Sequence, residues 1–170
     1  QCQSLCSKYG SLFIVDEIQT GLGRTGTLFA CDQADVKPDI LILAKALGGG
    51  MLPISACIAN DKAWSPAFCK RHSSTFANNH LSARIGLQVI NTLRGDETIL
   101  ENVRGNGRYL TAQLQNLVEE YPSVFKSTSG VGYMQGIGLA AWEDIDSYLA
   151  NVASDANYAV ALVAGYLLNK

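Results

Sequence analysis

The sequence lacks the features that would place it in a membrane, on nucleic acid or around a metal ion. It has no apolar run of about 18 residues and no secretory pattern at its N-terminus, so nothing in it predicts a membrane span or an export signal. Its 13 lysines and arginines are outnumbered by 15 aspartates and glutamates, and the net charge of −2 excludes a general attraction to nucleic acid or anionic lipid. The two histidines, His72 and His80, do not have the spacing of a metal site.

The cysteines form no recognisable site either. There are five, an odd number, and no two of them form a C-x-x-C pair or a Cys/His ligand pattern. They are Cys2, Cys6, Cys31, Cys57 and Cys69. We interpret them as reduced thiols and predict a cytoplasmic protein.

The sequence does have the composition of a globular protein with an α/β fold. Hydrophobic residues make up 48% of the chain and charged residues 16%, and 170 residues are enough to bury a core. Glycine and proline bound short apolar runs, which predict strands over residues 12–15, 40–43 and 54–59.

Helical periodicity follows these strands. Apolar residues recur at every fourth position from Leu81 to Leu93, which predicts a helix with one apolar face. The same kind of spacing from Leu110 to Tyr121 predicts a second helix that Pro122 ends. Further helical stretches are predicted at residues 1–9 and 158–170.

Two polar residues follow the first two predicted strands. Asp16 follows residues 12–15, and Lys45 follows residues 40–43 and precedes a run of three glycines. If the strands are parallel neighbours, their carboxyl ends open on one crevice, the usual ligand position in an open α/β sheet. A partly desolvated lysine can react there as the neutral amine and form Schiff bases, although a surface lysine and a turn aspartate are the ordinary alternatives.

Pyridoxal phosphate requires such a pair. A lysine holds its aldehyde as an imine, and a carboxylate keeps the pyridine nitrogen protonated so that the ring can accept electrons. A charge-assisted hydrogen bond from the ring N–H to Asp16 would stabilise the protonated form.

The sequence resembles the large-domain core of the class III pyridoxal-phosphate aminotransferases, the ornithine, putrescine and ω-amino acid enzymes. The ordered match covers about residues 5–139. It is carried by Asp-Glu-Ile-Gln-Thr-Gly-Leu-Gly-Arg-Thr-Gly at 16–26, Pro-Asp-Ile at 38–40, Ala-Lys-Ala-Leu-Gly-Gly-Gly at 44–50, Leu-Pro-Ile at 52–54 and Ser-Thr-Phe at 74–76.

This resemblance implies the fold type I architecture of pyridoxal-phosphate-dependent transferases. Residues 1–126 would form part of the large domain with its mostly parallel sheet, and residues 127–170 the start of a small α+β domain. Residues 136–142 are predicted to form a strand that enters this second domain, with a polar connection at 143–146. Because the family's upstream phosphate-binding loop and ring-stacking aromatic are missing, we expect a fragment with an incomplete site, cut from a free enzyme or from a domain of a megasynthase.

Residue by residue, the resemblance implies a cofactor site. Lys45 would be the Schiff-base lysine and the proton carrier, and Asp16 the partner of the pyridine nitrogen. Ile18 would pack on the ring and Gln19 would bond its phenolic oxygen. Thr75 would reach the cofactor phosphate of the neighbouring subunit, so a homodimer is implied. Outside this resemblance, the last three residues would be ordinary core, turn or cap residues.

The implied reaction transfers an amino group from an amine or amino acid donor to a keto acid or aldehyde. Ornithine, putrescine and β-amino or acyl-linked amines are candidate donors by resemblance only. An aminomutase of the same fold is the alternative within the class, and it usually has methionine at the position of Gln19. Amino transfer between molecules is therefore favoured over isomerisation.

The sequence departs from the family in two segments. The family commonly has Phe-Gly-Gly-Asn where this chain has Phe-Ala-Asn-Asn at 76–79, which restricts a backbone that glycine would leave free. It commonly has Arg-Gly-x-Gly where this chain has Ser-Gly-Val-Gly at 129–132, so a positive charge is absent.

A Rossmann-type dinucleotide-binding oxidoreductase is the alternative from another class. Residues 21–26 spell G-x-G-x-x-G after a predicted strand. Against it, the glycines do not begin at the strand's end, residues 27–36 are not a clean amphipathic helix, and the second strand does not end in an acid for a ribose. A non-catalytic remnant is a third possibility, disfavoured because both Lys45 and Asp16 are present.

Overall fold

The computed structural model describes residues 1–71, 74–140 and 158–169. Strands and helices are mixed along this chain, as expected for the α/β class. The elements are α1 (Cys2–Lys8), β1 (Ile14–Asp16), β2 (Ile40–Leu43), β3 (Ala56–Ala59), α2 (Pro66–Arg71), α3 (His80–Gly95), α4 (Glu97–Glu120), β4 (Phe125–Val131), β5 (Met134–Leu139) and α5 (Tyr158–Leu168). Short 3-10 helices follow β1 and β2, at Ala30–Ala34 and Lys45–Gly48.

The first three strands form one sheet in the order β1-β2-β3. β1 and β2 run parallel, with Ile14 opposite Ile40 and Asp16 opposite Ile42, which confirms the predicted pairing of parallel neighbours. β3 runs antiparallel to β2. The carboxyl ends of β1 and β2 therefore lie at the same edge of the sheet, where open α/β sheets bind their ligands.

β2 has the predicted bounds, whereas β1 and β3 begin later than predicted. The Phe13 N–H donates to the side chain of Asp39, with 2.9 Å to Oδ2, rather than to a neighbouring strand. β3 begins at Ala56 because its partner, Leu43, is the last residue of β2.

The core lies where the sheet edge meets α3. Leu22, Leu43 and Leu47 form a buried cluster, and Leu43 is only 1% exposed. Full burial of a leucine side chain contributes roughly 1.5–3 kcal/mol, so this cluster anchors the segments that follow β1 and β2. Half-buried side chains packed around it are Phe29, Leu41, Ile54, Ala56, Ile90 and Leu93.

The predicted helices are present, with one difference in length. α3 contains residues 81–93, and the Asn79 side chain caps it by accepting the Ser82 N–H at 3.0 Å. α4 ends at Glu120, before Pro122, but begins at Glu97, well ahead of the predicted apolar stripe. α1 and α5 confirm the helical stretches at the two ends of the chain.

The chain divides into two compact units. The first comprises residues 1–109 and 131–134, and the second residues 110–130 with the described part of 135–170. Within the second unit, β4 and β5 pair in a two-stranded sheet. The predicted domain boundary after residue 126 stays a prediction, and the connection predicted at 143–146 lies outside the described residues.

The predicted strand over residues 136–142 corresponds to β5, which ends at Leu139. Residues 141 and 142 lie outside the described part of the chain. Among the helices that are described, none is both long and apolar enough to cross a membrane.

Candidate active site

Lys45 is the first residue of the 3-10 helix Lys45–Gly48, which follows β2. Its backbone is left-handed, with φ of +46°, which is uncommon for a residue other than glycine. Such a conformation costs on the order of 1–3 kcal/mol and is concentrated at functional sites. The Lys45 side chain is exposed, and its amine makes no hydrogen bond or ion pair with another described residue.

An open cavity of about 970 Å³ lies next to Lys45. Its other walls are the turn after the glycine run, the loop at 74–79 and the first turn of α3. Among the described residues of this lining, Lys45 is the one charged residue, and the others are apolar or carry neutral hydroxyl and amide groups. These are Ala44, Leu52, Pro53, Ile54, Ser55, Ser74, Phe76, Ala77, Asn78, Asn79, Leu81, Ser82 and Ala83.

Asp16 is the last residue of the neighbouring strand. Its strand partner is Ile42, shortly before Lys45 in the chain. One carboxylate oxygen, Oδ1, accepts the Ile18 N–H at 2.9 Å. The other oxygen accepts no hydrogen bond from the described residues, and the side chain is exposed. Asp16 is therefore held in place while one of its oxygens is open to a donor.

The remaining predicted site residues fall into two places. Ile18 is half-buried and Gln19 exposed, both in the turn after Asp16. Thr75 is exposed in the loop whose neighbours on either side, Ser74 and Phe76, line the cavity. The cavity thus brings Lys45 together with the loop that carries Thr75. The residues after β1 stand together at the end of the adjacent strand and do not line that cavity.

Glu17 is a buried residue that the sequence analysis missed. It is only 1% exposed, although Asp16 on one side is exposed. Its Oε1 accepts the Cys31 N–H at 2.7 Å, and its Oε2 accepts the Thr20 hydroxyl at 2.6 Å. The alternation of side chains along a strand could have revealed it, because residues next to each other point to opposite faces.

The Glu17 carboxylate also affects the Cys31 thiol. Burial, followed by the hydrogen bond and the charge of Glu17, raises the pKa of the Cys31 thiol to about 11. The thiol therefore stays protonated at neutral pH and is a poor nucleophile. Among the described residues no group of His, Cys, Asp and Glu is arranged to hold a metal ion.

The glycines of the G-x-G-x-x-G segment make room for the protein's own atoms. A Cβ on Gly21 would lie 2.8 Å from the Glu17 carbonyl oxygen, and one on Gly26 would lie 2.6 Å from Cγ of Arg104. A Cβ on Gly23 would meet the Leu100 side chain at 3.2 Å. Close packing against neighbouring atoms thus explains why these three positions have glycine.

The surrounding backbone also differs from a dinucleotide fold. Residues 18–25 form consecutive turns, and the segment between β1 and β2 contains the 3-10 helix Ala30–Ala34 in place of an α-helix. A dinucleotide site needs a helix N-terminus directly after the glycines to receive the pyrophosphate. The Rossmann interpretation is therefore not supported by this segment.

The glycine segment at 21–26 also receives hydrogen bonds from α4 and from the turn at 132–133. Arg104 donates from Nη1 to the Gly26 carbonyl at 2.7 Å and pairs through Nη2 with Glu97 at 2.7 Å. The Tyr133 N–H donates to the Arg24 carbonyl at 2.9 Å. The segment is therefore fixed by main-chain contacts as well as by the side chains under it.

The structure accommodates the first departure from the family pattern. Asn78 occupies a position where the family has glycine, and its φ is +60°. Asparagine tolerates the left-handed region better than other residues with a side chain. The loop therefore keeps a glycine-like backbone without the glycine.

Comparison with known proteins now identifies the family. The family model for class-III aminotransferases matches residues 1–157. The chain belongs to the class III aminotransferase family. The α/β fold of type I predicted from the sequence is confirmed by this match.

Solved structures of aminotransferases are similar to this chain. The ornithine aminotransferase of Plasmodium yoelii is 36% identical, with a TM-score of 0.72 over 82% of this chain and 36% of its own. The acetylornithine aminotransferase of Elizabethkingia anophelis is also 36% identical, with a TM-score of 0.72 over 86% of this chain and 36% of its own. An (S)-enantioselective ω-transaminase from Thermomicrobium roseum is 33% identical, with a TM-score of 0.72 over 82% of this chain and 31% of its own. The chain thus spans about a third of the length of these enzymes.

Proposed function

We propose that the protein is a pyridoxal-phosphate aminotransferase in which Lys45 forms the Schiff base with the cofactor. The observation that carries this is the Lys45 amine, exposed at the carboxyl end of β2 beside a cavity and unpaired with any other described residue. The parallel neighbour β1 ends in Asp16 with one open carboxylate oxygen. Family membership supports transamination in general.

The residues present fit the cofactor's chemistry. Bound pyridoxal phosphate supplies an electron sink that makes a proton on the substrate carbon acidic. With the cofactor bound, the incoming donor would release the Lys45 amine, and Nζ would then carry the proton between the substrate carbon and the cofactor carbon. The open wall beside Lys45 leaves room for that movement.

Asp16 acts on the opposite part of the ring. Its open oxygen accepts the hydrogen bond of the protonated pyridine nitrogen, while the Ile18 N–H keeps the carboxylate oriented. Ile18 packs on one ring face and Gln19 bonds the phenolic oxygen. Thr75 contacts the cofactor phosphate of the neighbouring subunit in a homodimer, and its exposure in the described chain agrees with a partner outside this chain.

The relatives' names support a class of substrate for this protein. Two of the relatives described above act on ornithine and acetylornithine by name, and the third is named an ω-transaminase. We therefore assign this protein a donor that carries a terminal primary amine, and a keto acid or aldehyde acceptor. The cytoplasm is its proposed location.

Reduction of the cofactor complex tests the proposal. Pyridoxal phosphate is added to the full-length protein, the visible spectrum is recorded, borohydride is added, and the labelled peptide is mapped. We expect a visible band that borohydride bleaches and a label on Lys45. Lys45→Ala should lose the label, whereas Lys37→Ala, which removes an exposed lysine between β1 and β2, should keep it.

Two outcomes would contradict the proposal. A protein without a visible band and without label would rule out the Schiff base. A label on another lysine, retained in Lys45→Ala, would rule out Lys45. Release of more than one equivalent of keto or aldehyde product per cofactor only when an acceptor is present would distinguish amino transfer from isomerisation within one molecule.

A further inference from the structure

We propose that Glu17 is a positioning residue whose buried carboxylate ties both ends of the loop at 18–31 to the sheet edge and thereby orients Asp16 and Gln19. This inference rests on the proposed function, because it concerns the residues assigned to the cofactor ring. Glu17 itself is 1% exposed, so its carboxylate is not open to a ligand and would act through its neighbours.

The near end of the loop folds back onto Glu17. The Thr20 hydroxyl donates to Oε2 at 2.6 Å, and the Gly21 N–H donates to the Glu17 carbonyl at 3.0 Å. The close turn requires glycine at 21, since a Cβ there would also lie 3.1 Å from Cβ of Glu17. Gln19, which directly precedes Thr20, is held by this turn.

The far end of the loop meets the same side chain. The Cys31 N–H donates to Oε1 at 2.7 Å. A single buried side chain therefore closes the loop at both ends. A glutamate suits this position because two donors, an N–H and an O–H, face it, and a carboxylate has two acceptor oxygens.

The main chain of Glu17 connects these side-chain hydrogen bonds to Asp16. The Glu17 N–H donates to the Ile42 carbonyl at 2.9 Å, which extends the parallel pairing past Asp16. Asp16 is thus fixed by the two residues that follow it, Glu17 through its main chain and Ile18 through its N–H. If the Glu17 carboxylate moved, the main chain at Glu17 would move with it. The Asp16 carboxylate, which we propose holds the ring nitrogen, would then be displaced as well.

Graded variants of the full-length protein separate this role from general stability. Glu17→Met keeps the side chain's length and leaves the Cys31 N–H without an acceptor. Glu17→Gln can still accept that N–H while its amide donates to the Thr20 hydroxyl, so it should be a partial rescue. Thr20→Val removes that hydroxyl, and the pair Glu17→Gln with Thr20→Val should lose the rescue. The matched control is Asp32→Asn, because the Asp32 carboxylate lies next to the far end of the loop and, among the described residues, bonds the Phe29 N–H at 3.0 Å rather than Glu17.

Three readouts other than turnover test the inference. In the cofactor-free protein, hydrogen exchange of the Cys31 amide should speed up in Glu17→Met. With cofactor, its dissociation constant should rise by about tenfold, the factor expected when one buried hydrogen bond to a charged group is lost. The pH profile of the visible band should shift as well, because Asp16 controls the protonation of the ring.

The outcomes distinguish the two hypotheses. Graded shifts in Glu17→Met, Glu17→Gln and Thr20→Val, with a wild-type spectrum in Asp32→Asn, would support the inference. If wild type is labelled on Lys45 but folded Glu17 and Thr20 variants keep its cofactor affinity, band and amide exchange, the inference fails and the proposed function stands. If wild type itself takes no label, the proposed function fails and the positioning role fails with it. Should Glu17→Met not fold, Thr20→Val and Glu17→Gln decide the matter.

Discussion

A methyl group added at Gly107 should destabilise the protein, although it is added inside a helix. In α4 generally, alanine is favoured over glycine by about 0.8–1 kcal/mol. At Gly107, however, the new Cβ would lie 2.7 Å from Cα and 2.8 Å from the carbonyl oxygen of Gly132. Both atoms belong to the main chain and cannot rotate away, so the backbone must move.

The magnitude follows from these two opposing terms. Overpacking of a tight site costs about 1–3 kcal/mol, and contacts this short with main-chain atoms belong at the upper end. After the helix propensity is subtracted, we expect Gly107→Ala to lose about 1–2 kcal/mol of unfolding free energy. Gly132 adds to the constraint, since it has φ of +57° and its own Cβ would lie 2.7 Å from the Arg24 carbonyl oxygen.

The same helix supplies the control. A Cβ on Gly105 would meet nothing within 4 Å, so Gly105→Ala should gain roughly 0.8–1 kcal/mol. Urea unfolding of the two full-length variants, followed by circular dichroism, measures both effects. The reasoning is refuted if Gly107→Ala is as stable as Gly105→Ala.

Three further predictions concern charge, chemistry and backbone. The Phe13 N–H, followed by Lys62 and Asn60, lowers the pKa of Asp39 from 3.8 to about 2, so the stabilisation it provides is complete above pH 4 and is lost as the pH falls towards 2. Asp39→Asn should therefore flatten acid unfolding in that range, as followed by circular dichroism. Asp16→Asn should keep the Lys45 label but lower kcat in a coupled transamination assay, because the ring nitrogen loses its anionic partner; an unchanged kcat would remove Asp16 from the site. Asn78→Gly should be tolerated, whereas Asn78→Val should lower the melting temperature, since a β-branched residue at φ of +60° is strained.

Local patterns predicted the sheet edge and the general place of the site. The apolar runs before Asp16 and Lys45 are short and end in polar residues, so their parallel pairing follows from ordinary α/β topology. α3 was predictable because its apolar residues repeat at helical spacing.

The features that were not predicted depend on contacts between distant parts of the chain. The first half of α4 contains Gly105 and Gly107, which weaken its helix propensity, and one of them is there because Gly132 approaches closely. The burial of Glu17 depends on a loop that returns to it at Cys31. The left-handed backbone of Lys45 likewise cannot be read from the type of residue at that position.

The packing of Gly26 against Arg104 has a consequence for how related sequences can vary. A side chain at 26 would occupy the space that Cγ of Arg104 now fills, and Arg104 also donates to the Gly26 carbonyl at 2.7 Å. Neither residue can change freely on its own. Gly26 also has φ of +93°, a conformation that residues with a side chain rarely adopt. Among relatives, we therefore expect the glycine to be kept wherever the loop has this backbone, and we expect positions 26 and 104 to change together only where the loop is rebuilt. The last glycine of the motif is thus constrained together with Arg104, which lies 78 residues later in the chain.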